Sequence, residues 1–222
     1  MDIFFDNHTH THYSNIRLLD CINRPKDLIN KAIEIGLAGI AITDHECVCS
    51  WMEVNQYSKE IKEKYPDFTI ALGNEIYLTE TRESGQKYYH FLLVAKDELG
   101  ARALKELSSI AWYNMYSDRG LERVPTLKSD LAEVMTKFKG HVIATTACIG
   151  GELSSNILKL VQAKKDNDFL KAKELLDDID NFIHYCKDIF GDDFYIECAG
   201  STKDDQITVN RIFKNIAEIY GI

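Results

Sequence analysis

A chain of 222 residues is long enough for one large domain with a substantial core, and its 45% hydrophobic and 27% charged residues are typical of a soluble globular protein. The net charge of −9, without a basic stripe, argues against a free-standing nucleic-acid-binding protein. No apolar run approaches the ~20 residues of a membrane span, and no secretory signal is visible, so we expect a cytoplasmic protein whose six cysteines are reduced.

Strand and helix patterns alternate in the first half of the chain. Short apolar runs predict strands over residues 2–7, 38–43, 68–78 and 88–95. A helix is expected to begin at Pro25 and end at Gly36, and a second over residues 50–65 is expected to end before Pro66. Gly73 is expected to break the third strand. This alternation is typical of strand–helix units in an α/β protein.

The alternation continues in the second half. Helices are predicted over residues 97–117, 126–138, 151–164 and 168–190, strands over residues 141–146 and 194–198, and a loop around Gly120 and Pro125 separates the first two helices. A last helix includes residues 209–220. Continuous apolar strands in such units predict a mostly parallel sheet in a single domain, residues 1–222. Because Gly221 and Ile222 resemble the approach to another strand, we expect a fragment that ends before its next strand.

Metal-ligand residue types recur where the predicted strands end. His8 and His10 are spaced so that both side chains project from the same side of an extended chain, and two neutral imidazoles that converge are the start of a divalent-metal site. In a (β/α) barrel the functional residues lie at the carboxyl ends of the strands. The further candidates of this kind are Asp20, Asp44, His45, Glu75, His90, Cys148 and Glu197.

Each of these candidates also has an ordinary structural explanation. His90 lies in an apolar run and could be a core histidine, and Cys148 could be a small buried residue. Glu197 could be an ion-pair partner, and Asp44 could orient His45 or the backbone rather than a metal. The recurrence at successive strand ends favours metal binding, with Glu75 able to bridge two cations.

The chain resembles the polymerase and histidinol phosphatase (PHP) domain at the N-terminus of bacterial DNA polymerase III alpha subunits. The similarity covers essentially the whole chain, and the order of its motifs makes it specific. The matching motifs are residues 8–14 (HTHTHYS), 18–20 (LLD), 41–45 (AITDH), 73–77 (GNEIY), 89–96 (YHFLLVAK), 147–152 (ACIGGE) and 194–197 (FYIE). Free-standing phosphatases of the superfamily more often have His in place of Asp20 and Cys148.

The resemblance implies a distorted (β/α)7 TIM-like barrel with up to three divalent metal ions, most often zinc or manganese. By motif, His8, His10 and Glu75 would bind the first ion, and Glu75, His90 and Cys148 the second. Asp20 and His45 would contribute to the third. Family members add an Asp-x-His from a strand that this sequence lacks, so the first and third sites are expected to be incomplete. Residues 15–17 look inserted, which would shift Asp20.

The leading functional hypothesis is metal-dependent phosphoester hydrolysis, with Glu75 and His90 as the predicted catalytic residues. In this family such activity resembles 3′→5′ exonuclease proofreading, within a longer DNA-directed DNA polymerase of DNA replication. The implied partners are DNA, through the parent polymerase, and other replisome subunits, with weak DNA binding by this chain alone. His12 and Arg17 could contact phosphate, although both residues are more often plain surface residues.

Three alternatives remain open from the sequence. The first is a non-catalytic, metal-stabilised scaffold within the polymerase. The second is a free-standing enzyme like histidinol phosphatase. The third is an amidohydrolase-like enzyme, because His-x-His also opens that superfamily, but its members typically need a carboxylated lysine in mid-barrel. No lysine lies at the corresponding strand ends, where Glu75 has the bridging position.

Overall fold

The computed structural model of the protein describes residues 4–16 and 21–222. Its strands are β1 (Phe5–Thr9), β2 (Gly39–Ile42), β3 (Thr69–Thr79), β4 (Tyr89–Ala95), β5 (Tyr116–Asp118), β6 (Leu121–Arg123), β7 (Thr126–Leu127), β8 (Val142–Thr145) and β9 (Phe194–Tyr195). Its α-helices are α1 (Pro25–Glu34), α2 (Trp51–Lys64), α3 (Glu98–Tyr113), α4 (Lys128–Lys137), α5 (Glu152–Lys165), α6 (Phe169–Phe190) and α7 (Asp204–Tyr220). Among these described residues, none of the helices combines the length and apolarity needed to cross a lipid bilayer.

A curled, mostly parallel sheet organises the fold. Its strand order is β1-β2-β3-β4-β8-β9, and β7 pairs with the end of β3. Only β4 runs against its neighbours β3 and β8. Although β1 and β9 are at opposite ends of this order, His8 of β1 lies 2.7 Å from Glu197, two residues after β9. The sheet therefore curls into a half-barrel, which confirms the predicted α/β, barrel-like fold class.

Strand β3 is continuous through Gly73, so the predicted break at this glycine was wrong. Residues 69–72 pair with β2, and the strand pairs with β4 from Gly73 onward. A Cβ atom at this position would lie 2.6 Å from the carbonyl oxygen of Leu93 and 2.7 Å from Cγ2 of Thr43. The glycine is needed because neighbouring segments of the same chain approach closely here, as glycines in strands often permit.

The predicted loop around Gly120 contains a short hairpin instead. Helix α3 ends at Tyr113, earlier than expected, and β5 pairs with β6 in an antiparallel register. The two-residue turn between them consists of Arg119 and Gly120, with φ angles of 53° and 77°. Two successive positive φ angles are typical of the turn type that matches hairpin twist. Arg-Gly is not among the usual sequences for such a turn, which explains why the sequence pattern did not indicate it.

Alternating side chains divide the core into an outer and an inner layer. On β4, Phe91 and Leu93 pack outward beneath the helices, whereas Leu92 and Val94 belong to a separate cluster inside the curled sheet. This alternation is the ordinary geometry of a strand. Counting back along the inner face of the same strand leads to His90. The inner layer thus changes from apolar to ionisable toward one edge of the sheet.

Candidate metal centre

The ionisable residues collect at the edge where the parallel strands end. Strand β1 supplies His8, inside the strand rather than after it, because β1 extends to Thr9. His45 follows β2 and forms a single bridge with Glu75 of β3. His90 lies near the beginning of β4 and pairs with Tyr77. Because β4 is antiparallel, its beginning lies at the edge where β3 ends.

Glu75 is at the centre of this cluster and is only 1% exposed. Its Oε1 atom lies 3.3 Å from Nε2 of His8 and 3.0 Å from Nδ1 of His90. Its Oε2 atom lies 3.3 Å from Nε2 of His10 and 3.0 Å from Nδ1 of His45. Four imidazole nitrogens therefore surround one buried carboxylate, two at each oxygen.

Two groups of possible ligands share this carboxylate. The first group is His8, His10 and Glu75, and the second is His45, Glu75 and His90. Cys148 adjoins the second group, with Sγ 3.3 Å from Nδ1 of His90 and 3.9 Å from Oε1 of Glu75. Bonds of about 2.1 Å in a tetrahedron place neighbouring ligand atoms about 3.4 Å apart. The observed separations therefore suit divalent ions.

Two buried atoms lack the hydrogen bonds that burial normally requires. Nδ1 of His45 and Oε2 of Glu75 are 3.0 Å apart but are not aligned for a hydrogen bond. Within residues 4–16 and 21–222, neither atom has a hydrogen-bond partner. Leaving a buried polar atom unpaired costs about 1–3 kcal/mol. A cation between these residues would satisfy both atoms, and the residues present therefore fit a metal site.

The two histidines of the first group are oriented by residues outside the cluster. Glu197 receives a 2.7 Å hydrogen bond from Nδ1 of His8, and its other oxygen receives one of 2.6 Å from Oγ1 of Thr145. Nδ1 of His10 lies 3.2 Å from Oγ of Ser14. Such outer partners fix the tautomer and the orientation of metal-binding imidazoles.

Buried charges shift several pKa values in the cluster. Burial opposes ionisation of Glu75, but His45, His8 and His90 outweigh it and hold its pKa well below the usual range. Burial likewise opposes protonation of His8, but Glu197 and Glu75 raise its pKa to about 10. For His90, Cys148 and Glu75 outweigh burial in the same way and raise its pKa to about 10.

The pKa of His10 is shifted in the opposite direction from that of His8. Burial lowers the pKa of His10 to about 4, against the attraction of Glu75 and with added repulsion from His45 and His8. His10 is therefore neutral at pH 7, whereas His8 and His90 carry protons that a metal ion must displace.

Comparisons with known proteins identify the family of this chain. The family model described as PHP domain matches residues 6–201. This chain belongs to the PHP domain family. The Bacillus subtilis (strain 168) protein named "Probable DNA polymerase YorL" is 38% identical over 97% of the PHP chain and 17% of its own length. "DNA-directed DNA polymerase" of Bacillus phage SPbeta gives the same values. "DNA polymerase III subunit alpha" of Borreliella burgdorferi (strain B31) is 31% identical over 97% of this chain and 17% of its own length. The PHP chain thus spans about a sixth of these relatives.

Six of the seven metal ligands predicted from the sequence lie together in this PHP domain. These residues are His8, His10, His45, Glu75, His90 and Cys148. The seventh, Asp20, and the possible phosphate contact Arg17 lie outside the described residues. His45, expected beside Asp20 at a third site, lies against Glu75 and His90. His12 is turned toward the carbonyl oxygen of Asn23, at 3.4 Å.

Sequence reasoning missed the outer partners of the histidines. The sequence indicates Glu197 as a candidate ligand or an ion-pair partner but does not indicate its contact with His8, which brings together residues 189 positions apart. Ser14 lies within the first motif but had no assigned role. Asp44 accepts hydrogen bonds from Ser14 and Thr11, so it orients this segment and not His45 directly.

Proposed function

We propose that this PHP domain is a divalent-metal-dependent phosphoesterase of the 3′→5′ exonuclease type, within a longer replicative DNA polymerase. The observation that carries the proposal is the single buried carboxylate of Glu75, surrounded by four imidazoles at 3.0–3.3 Å. Two orphaned buried atoms, Glu75 Oε2 and His45 Nδ1, support the presence of an ion. Polymerase relatives at 38% and 31% identity support the substrate class.

Different residues of the centre would have different roles in the reaction. When bound, divalent ions lower the pKa of coordinated water and stabilise negative charge on a phosphodiester. Glu75 would bridge the two groups, since each of its oxygens faces two imidazoles. His90, with Cys148, would complete the second group. We assign Glu75 and His90 as catalytic residues because they would contact the metal that activates the nucleophile.

Zinc and manganese are the ions we propose. Imidazole and thiolate ligands favour zinc, and the carboxylate also suits manganese. Among the described residues the first group has three candidate protein ligands, one fewer than a four-ligand set, and the second group has four with Cys148 included. Open coordination positions are a property of catalytic metal sites, because water or substrate must reach the ion.

DNA would reach this domain through the rest of the polymerase. The chain carries a net charge of −9, so we expect weak DNA binding by the 222 residues alone. The parent polypeptide, with other replisome subunits, would present the 3′ end in the cytoplasm. We therefore propose a single PHP domain over residues 1–222 that acts on a substrate held elsewhere.

Metal content and nuclease activity test this proposal together. Plasma mass spectrometry on the purified chain, beside Glu75→Ala, should show bound zinc or manganese that is lost in the variant. The natural polypeptide containing this domain should then shorten a single-stranded 3′ end with added Mn²⁺. Bound metal without shortening would favour the scaffold, and hydrolysis of a small phosphomonoester but not DNA would favour a histidinol-phosphatase-like enzyme. Absence of metal from both proteins would contradict the proposal.

A further inference from the structure

Ser14 forms hydrogen bonds in all three of the ways that a hydroxyl allows. It is completely buried, and its Oγ lies 2.7 Å from Oδ1 of Asp44, 3.2 Å from the backbone nitrogen of His45 and 3.2 Å from Nδ1 of His10. A hydroxyl has one proton to donate and two lone pairs that accept. Three partners therefore use its capacity fully.

The chemistry of the three partners determines which atom donates the proton in each hydrogen bond. The carboxylate of Asp44 can only accept, so the Ser14 proton points toward Oδ1. The amide of His45 can only donate, so it occupies one lone pair of Oγ. The remaining lone pair faces Nδ1 of His10, which must therefore carry the proton. Nε2 of His10, 3.3 Å from Oε2 of Glu75, is left with an unprotonated lone pair.

We propose that Ser14, held by Asp44, is a positioning residue that fixes the tautomer of His10 and aims its Nε2 lone pair at the metal position. This inference rests on the proposed function, because it assigns a purpose to the tautomer. The local fold supports it. Ser14 lies in a 3-10 helix (His12–Ile16), whose turn bonds its backbone nitrogen to the carbonyl of Thr11 at 2.9 Å. That turn places the hydroxyl beside the ring four residues earlier.

Thr11 provides a matched control. It is also completely buried and also donates to Asp44, with Oγ1 2.9 Å from each carboxylate oxygen. Its hydroxyl does not form part of the contact between Ser14 and His10. Thr11→Val therefore perturbs the same carboxylate and the same buried segment without removing the acceptor for His10.

The test is nitrogen NMR of ¹⁵N-histidine-labelled, metal-free protein, with zinc affinity measured by chelator competition. In the unmodified chain His10 should be protonated at Nδ1. Ser14→Ala should shift His10 toward the Nε2-protonated tautomer and weaken zinc binding by about 10–100-fold, the usual effect of losing an outer partner. Thr11→Val should keep the original tautomer and most of the affinity. If Ser14→Ala does not fold, Ser14→Cys, a weaker acceptor, should give intermediate values.

The outcomes separate this inference from the proposed function. Protonation of His10 at Nε2 in the unmodified chain would overturn the inference, and so would equal tautomers and affinities for Ser14→Ala and Thr11→Val. An Nδ1-protonated His10 in a chain that binds no zinc would instead overturn the proposed function while supporting the hydrogen-bond assignment.

Discussion

The histidines of the two groups turn different ring nitrogens toward Glu75. His8 and His10 lie on one segment, turn Nε2 toward Glu75 and bond through Nδ1 to Glu197 and Ser14. In the second group, His45 after β2 and His90 near the start of β4 turn Nδ1 itself toward the carboxylate. The rings of the first group are thus oriented through the nitrogen far from Glu75 by outer hydrogen bonds, and the part of the chain that the structure describes shows no such bonds for the second group.

Ring packing orients the histidines of the second group, and it extends to the first group because His10 stacks on His45 with ring centroids 4.5 Å apart. His90 stacks on Tyr77 with ring centroids 4.9 Å apart, and His45 meets His90 edge-on at 5.1 Å. The thiol of Cys148 completes this side of the cluster. We therefore expect metal binding by the first group to change when its outer polar partners are substituted. Metal binding by the second group should change when the thiol of Cys148 is substituted.

The largest loss of metal is expected from Glu75→Gln, because Glu75 belongs to both groups. The substitution keeps the shape but removes the charge that both groups share, so both should lose their metal. The loss should exceed the ~10–100-fold cost of removing an outer partner. Glu152→Gln, at a side chain 13% exposed and paired with Lys128, is the control and should keep its metal. Wild-type metal content in Glu75→Gln, measured by plasma mass spectrometry, would contradict the shared site.

Cys148→Ser should damage only the second group. Thiolates prefer soft ions, so cadmium should give a thiolate charge-transfer absorption in the unmodified chain that disappears in this variant. His8→Asn should keep the absorption, because His8 belongs to the first group. Cys49→Ser changes an exposed cysteine and is the control. Retention of the absorption in Cys148→Ser would remove Cys148 from the centre.

Glu197→Gln should weaken the first group while leaving the second intact. Losing the charged partner of His8 should reduce zinc affinity there by about 10–100-fold. The cadmium absorption of the second group should not change. Asp193→Asn, which breaks the 2.7 Å pair with Lys96, is the matched control. Equal zinc affinities for the two variants in a chelator competition would show that Glu197 does not orient His8.

Both groups should also share a pH dependence of metal affinity. His8 and His90, with pKa values of about 10, are protonated at neutral pH, and each group must lose one proton to bind an ion. Affinity should therefore rise with pH toward 10, by about tenfold per pH unit for each proton displaced. Titration calorimetry in buffers of different ionisation enthalpy measures the release. Heats that do not depend on the buffer would contradict it.

The grouping of candidate ligands at the strand ends could be predicted because residue type and position relative to an apolar run are both visible in a sequence. His8, His10, Glu75 and Cys148 were found in this way. The direction of β4 could not be predicted, since an apolar run looks the same in a parallel and an antiparallel strand. That direction explains why His90 begins its strand yet meets residues that end theirs.

Long-range polar contacts were equally invisible. Thr145 and Glu197 are 52 residues apart, and their hydrogen bond depends on how β8 and the segment after β9 lie together. The predicted strand break at Gly73 was wrong because the sequence alone does not distinguish a glycine required by close packing from a glycine that ends a strand. In each case the missing information is tertiary, whereas the sequence pattern reports only local periodicity.

Sharing one carboxylate has a thermodynamic consequence for the whole centre. Each oxygen of Glu75 faces one histidine of each group, so an ion bound in one group would share this carboxylate with an ion bound in the other. By linkage, the factor by which the first ion alters the affinity for the second equals the factor in the reverse direction. Any effect of one ion on the binding of the other would therefore be mutual, and a binding constant measured for one ion would depend on the occupancy of the other group.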